Sequence, residues 1–95
     1  MRTLITELVF TAAAGVKLER RRISPDEVRD LLWNQYRVLV NPTAPSRDRR
    51  YLIGQTNGGR VLTIVIASTA EPTTWLVITG WEATRRQRRL LDAER

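Results

Sequence analysis

The chain contains neither cysteine nor histidine. Without cysteine, disulfides and thiolate metal sites are excluded, and without imidazole so are Ser-His-Asp and Cys-His nucleophilic sites, histidine zinc centres and histidine acid–base catalysis. Lysine is almost missing as well, since fifteen of the sixteen cations are arginine. No apolar run approaches the ~20 residues of a membrane helix. The amino end is interrupted by Glu7 and offers no polar cleavage region before Lys17, so it reads as folded structure rather than as a secretory signal. "GQTNGG" lacks the Lys-Ser/Thr of a phosphate-binding P-loop. The ten carboxylates are scattered, with no spacing that suggests a metal centre or a glycosidase dyad. These absences lead us to expect a cytoplasmic protein without membrane, metal or other cofactor.

What is present fits one small domain, residues 1–95. A chain of this length buries about two thirds of the surface it would expose unfolded, enough for one core. The 42% apolar content is near the globular norm. A net charge of +6 favours an anionic partner, either nucleic acid or an acidic protein. Arginine-rich, lysine-poor usage is also what a GC-rich genome produces, so charge alone does not choose.

Residues 4–10 read as a short first strand, or as a lead directly into the helix that "AAAGVKLERRR" predicts. The next signal is firmer. In "ISPDEV" Ser24 stands at an N-cap, Pro25 at the first helical position and Glu27 where a capping box closes, with Ile23 and Val28 as a hydrophobic staple. That helix includes Leu31 and Leu32 and ends near Trp33 or Asn34. "YRVLVNP" reads as a strand stopped by Pro42, and "NPTAPS" as a loop. Asn57-Gly58 between two strand-like runs predicts a hairpin with a type I′ turn. In "RVLTIVIAST" Val61, Val65 and Ala67 share one face and Leu62, Ile64 and Ile66 the other, so this strand should be central and covered on both sides. "AEPT" is a turn and "TWLVITGW" a returning strand. Thr84 and Gln87 then form a second capping box for a helix anchored by Leu90 and Leu91. The expected fold is α+β, with two N-terminal helices, about four antiparallel strands and one C-terminal helix.

The cations fall into three clusters: Lys17, Arg20, Arg21 and Arg22; Arg47, Arg49 and Arg50; and Arg85, Arg86, Arg88 and Arg89. Arginine's planar fork suits phosphate, and such clusters bind a backbone without reading its sequence. On the last helix Arg85, Arg88 and Arg89 share a face while Arg86 lies with Leu90, an arrangement that a solvated stripe and one snorkelling stem also explain. Trp33 and Trp75, beside apolar runs, read as core. Trp81 adjoins the arginines and is a candidate base-stacking residue.

"RDRRYLIGQTNGGRVLTIVIAST", the strand after it and "EATRRQRRLL" resemble the BrnT family, small toxins of bacterial type II toxin–antitoxin pairs with a RelE-like ribonuclease fold. "RRISPDEVRDLL" is similar to the segment where that family ends a helix in a Lys-His-Gly-like step and begins a Ser-capped one. The resemblance spans most of residues 17–91. It implies metal-independent cleavage of RNA by attack of a ribose 2′-hydroxyl on the adjacent phosphate, and neutralisation by a DNA-binding antitoxin of the BrnA kind. By this resemblance Arg49, five residues before Gly54, is the first catalytic candidate. The basic step falls on Arg20 and Arg21, and Arg21 joins the catalytic candidates. The last strand carries Leu76-Val77-Ile78-Thr79-Gly80-Trp81 where the family has two arginines, Gln87 replaces an acid, and a later tyrosine is missing. Arg50 or Arg85 would have to substitute. Lys17, Arg20, Arg22, Arg60, Trp81, Arg85, Arg88 and Arg89 are the nucleic-acid-binding candidates. A module of the same fold that binds nucleic acid or protein without catalysis is the alternative.

Overall fold

The computed structural model describes residues 4–40 and 48–93. Its elements are β1 (Glu7–Phe10), α1 (Ala12–Arg20), α2 (Pro25–Trp33), β2 (Tyr36–Val40), β3 (Arg49–Gln55), β4 (Val61–Ser68), β5 (Thr74–Glu82) and α3 (Arg85–Asp92). The chain is α+β with three helices and one five-stranded sheet, ordered β1-β5-β4-β3-β2. The last four strands form the expected antiparallel run. The expectation of about four antiparallel strands needs one correction: residues 7–10 are a fifth strand, parallel to β5, and they make the sheet mixed. Parallel pairing across 67 residues leaves no local trace, whereas hairpins announce themselves by their turns. The "NPTAPS" loop and Arg47 lie outside the described residues.

Local chemistry separates β1 from α1. Thr11 is an extended N-cap whose hydroxyl accepts from the Ala14 N–H at 3.0 Å. α1 ends in a Schellman motif: Ile23 N–H donates to Leu18 C=O and Arg22 N–H to Glu19 C=O, at 3.0 and 2.9 Å. The motif demands a left-handed residue, and Arg22 fills it with φ 58°. Glycine would sit there without the Cβ clash, so Arg22→Gly is expected to stabilise the domain by roughly 0.5–1 kcal/mol, read as a rise in thermal midpoint. Ile23 then enters α2 as half of the staple with Val28, and both are buried. The capping box is reciprocal, with Ser24 N–H to Glu27 Oε1 and Glu27 N–H to Ser24 Oγ both at 3.1 Å.

β4 is the central strand and Val61 through Ile66 are all buried. Leu62, Ile64 and Ile66 meet α1 and α2 in the larger core with Leu18, Val28, Leu31 and Leu52. On the opposite face Ile53 and Val61 meet Leu91 of α3 in a smaller one. Trp75 belongs to the larger core as expected, but Trp33 does not: it is 84% exposed. α2 turns Val28 and Leu31 inward, and Trp33, two residues beyond Leu31, falls about 200° away from it around the helix. The β3–β4 turn is also corrected. Gly59, not Asn57 or Gly58, holds the positive φ, at 93°, and Gly59 N–H closes on Thr56 C=O at 3.0 Å. This is a tight turn followed by a left-handed glycine, the three-residue hairpin pattern. Asn57 serves the fold through its contacts with α2 instead. Its backbone N–H and side-chain amide both donate to the Asp30 carboxylate, and Asn34 donates to its Oδ1.

Candidate nucleic-acid interface

The cation cluster nearest the chain's start is divided by the end of α1. Lys17, Arg20 and Arg21 follow i, i+3, i+4 spacing and come off one exposed side of the end of α1, flanking the face that buries Ala14 and Leu18. With Thr79 of β5 they line a cleft of about 500 Å³. Arg22, turned by its left-handed backbone, lines a different recess between α1 and α2, with Val16, Glu19 and Pro25.

Two features of β5 open the cleft. β1 pairs with β5 only as far as Phe10 and Val77, while β5 runs on to Glu82. Beyond Val77 no strand among the described residues pairs with that edge of β5, and α1 packs over its face through Leu18 at Gly80. A bulge at Ile78 shifts the register, so that Val65 faces Thr79 while its neighbour Ile66 faces Val77. Past the bulge, Gly80 lies against Ile64 and Leu18 on the core side, and Thr79 and Trp81 turn to the other face. Nothing in the sequence pointed to Thr79 itself; the glycine inside an apolar strand was the available sign of a bulge.

Arg60 is committed elsewhere. Its Nε donates to Glu82 Oε1 and its Nη1 to both Glu27 oxygens, at 3.1, 3.3 and 3.1 Å, and Nη1 also donates to the Arg22 carbonyl at 2.7 Å. The pairing raises its affinity for its proton, chiefly through Glu82. The Glu27 carboxyl is held below the ordinary carboxylate value, first by the Ser24 N–H and then by Arg60. Arg60, an expected nucleic-acid contact, is therefore a clamp that ties β4, β5 and α2 to the end of α1.

Trp81 is likewise engaged. Its Nε1 donates to Gln87 Oε1 at 3.1 Å and its ring packs edge-on against Tyr51 with centroids 5.7 Å apart. The same Gln87 oxygen accepts from the buried Thr63 hydroxyl and from Thr84 N–H, so the residue standing in the acid's place is an acceptor hub. Trp81 is a half-buried part of this network rather than an open stacking platform.

The remaining candidates are spread out. Arg49 is exposed on the Thr79 face, two residues along β3 from Tyr51, which shares a cross-strand row with Val65 and Thr79. Strand spacings of ~4.8 Å and rises of ~3.4 Å put its Cα about 12 Å from that of Thr79. Arg50 is paired opposite Ile66 on the other face, and its Nη1 donates to the Arg49 carbonyl at 2.8 Å. Arg85, Arg88 and Arg89 are exposed on α3, and Arg86, expected to lie along Leu90, is exposed as well. Among the described residues no group of three or more acidic ligands could hold a metal ion, and no helix is long and apolar enough to cross a membrane. In comparisons with known proteins, no family model, no curated protein and no solved structure matches the chain.

Proposed function

We propose that this protein acts on RNA as the toxin-like component of a type II toxin–antitoxin pair, with a RelE-like fold of the BrnT kind and a BrnA-like antitoxin as its partner. The observation that carries the reading is the convergence of Lys17, Arg20 and Arg21 with Thr79 on one cleft. Three cations around a cleft of this size suit a phosphodiester, and Arg49, exposed on the face of the sheet opposite α1, is a further cation for a longer strand. In the ribonuclease chemistry, the 2′-oxygen forms a bond to phosphorus as the P–O5′ bond breaks. The cleft's cations stabilise the crowded phosphorane, Lys17 gives a proton to O5′, and the 2′-proton leaves to water, from which the lysine is reprotonated. The four residues lining the cleft include no carboxylate to take the 2′-proton, and this favours the second reading, a phosphate-binding module without catalysis.

Binding is the first test. By fluorescence anisotropy on single-stranded RNA, the triple variant Lys17→Ala/Arg20→Ala/Arg21→Ala is expected to bind roughly 10–100-fold more weakly, with a salt slope reduced by about 2. Unchanged affinity and slope would remove the proposal. Cleavage divides the two readings: products ending in a 2′,3′-cyclic phosphate, and growth arrest on expression that is lost in Arg49→Ala, support the toxin, whereas binding without either supports the module.

A further inference from the structure

The Asn57-Gly58 pair is not explained by the turn it occupies. Gly59 holds the positive φ there and Gly58 does not share it. A Cβ on Gly58 would meet only Thr56 Oγ1, at 3.8 Å, so neither backbone conformation nor space requires glycine at that position. The missing side chain leaves an uncrowded amide. Among the described residues the Gly58 N–H donates to no acceptor, and Asn57 and Gly58 are both exposed. An asparagine before such an amide carries its own electrophile, because its side-chain carbonyl carbon and the next backbone nitrogen close an unstrained five-membered ring.

The side chain that would react is held by α2. Asp30 Oδ1 accepts from Asn57 Nδ2 at 3.2 Å and Asp30 Oδ2 from the Asn57 backbone N–H at 3.0 Å, while Asn34 Nδ2 donates to Asn57 Oδ1 at 2.9 Å. Asn34 is itself anchored, since the same Nδ2 donates to the Gln55 carbonyl at 2.9 Å. Both ends of the Asn57 amide are fixed, and it can rotate onto the Gly58 nitrogen only when this clasp opens.

We propose that Asn57 is a site of spontaneous deamidation, gated by the clasp of Asp30 and Asn34, and that its product releases the β3–β4 turn from α2. The Gly58 nitrogen gives its proton to water and bonds to Asn57 Cγ; the Cγ–Nδ2 bond breaks and Nδ2 leaves as ammonia, taking a proton from water. A second water opens the succinimide at either carbonyl, leaving aspartate or isoaspartate at position 57. Neither fits the clasp. A carboxylate oxygen takes the place of the N–H donor that stood 3.2 Å from Asp30 Oδ1, so two negative charges meet where a hydrogen bond had been. Isoaspartate also adds a carbon to the main chain of a turn that Gly59 N–H closes on Thr56 C=O at 3.0 Å. Opening the clasp permits the reaction, and the product keeps it open.

The full chain, aged at mildly alkaline pH, tests this by isoaspartyl methyltransferase labelling, ion exchange for the added negative charge, and peptide mapping. Asp30→Ala is expected to deamidate at Asn57 at least ~10-fold faster than the wild type, and Asn34→Ala to do so as well. Adding Gly58→Val to either should abolish the gain, because a branched side chain shields the amide at a position where the fold has room for it. Asn57→Asp, which installs the product charge directly, should lower the thermal midpoint by roughly 4–8 °C, and Asp30→Asn should restore most of that loss. Equal rates in the wild type and both opened variants overturn the proposal. Modification at another asparagine in place of Asn57 also overturns it, as does an Asn57→Asp variant with an unchanged midpoint.

Discussion

Arg60→Ala is expected to lower the unfolding free energy by roughly 2–3 kcal/mol, a drop in thermal midpoint of about 10–20 °C for a domain of this size. One guanidinium joins Glu27 of α2, Glu82 of β5 and the Arg22 carbonyl that closes α1. Its loss leaves two carboxylates facing each other and the Schellman turn without its outer donor. Arg60→Lys should recover only part of the loss, because an ammonium cannot span both carboxylates with a planar fork. The effect carries a pH signature. Glu27 has a lowered pKa in the folded state, so its contribution is present above the ordinary value of 4.5 and is lost as the pH falls through the folded value. The stability gap between wild type and Arg60→Ala should therefore narrow on acidification. Denaturant titrations at pH 7 and at pH 3 measure it, and a gap that widens at low pH would contradict the clamp.

Gly80→Ala is expected to cost about 2–3 kcal/mol. A Cβ on Gly80 would overlap Ile64 Cδ1 and stand 3.1 Å from both Leu18 Cδ2 and the Thr63 carbonyl oxygen. The methyl would push between β5 and the last turn of α1, where Lys17, Arg20 and Arg21 originate, so RNA affinity should fall along with stability. Removing the obstructing atom supplies the control. Ile64→Val alone costs about 1 kcal/mol, yet Gly80→Ala/Ile64→Val should be less destabilised than the sum of the single variants. Gly15, within α1, is the contrast: a Cβ added there would meet nothing within 4 Å, and alanine should stabilise by about 0.5–1 kcal/mol. Thermal denaturation of these variants checks the set.

These two sites differ in how much of them a reader of the sequence sees. Ser24, Pro25 and Glu27 announce α2 because a cap is made among neighbours, and Thr84 with Gln87 announces α3 in the same way. The two apolar faces of Val61–Ser68 show that the strand is central, since burial on both sides leaves no polar alternation. Arg22 defeated the same kind of reading at the end of α1, because the left-handed position there carries arginine where glycine is the usual sign. Trp33 was misplaced because an aromatic beside an apolar run says nothing of its angle around the helix. Charge marked the clustered cations and Arg60 alike as candidates, and only their partners separated Arg60, a clamp between elements, from Lys17, Arg20 and Arg21, which open onto a cleft.

By itself, then, the sequence determined the helices with their caps, the central strand, the hairpin run and the excess of positive charge, because each depends on contacts within a few residues or on composition. The tertiary structure alone decided that β1 lies parallel to β5, that Thr79, beyond the bulge at Ile78, borders the same cleft as three cations, and which arginines are already neutralised. Those outcomes depend on residues 22 to 67 positions apart in the chain meeting in space, and no local propensity encodes which distant partner a strand edge or a guanidinium will find.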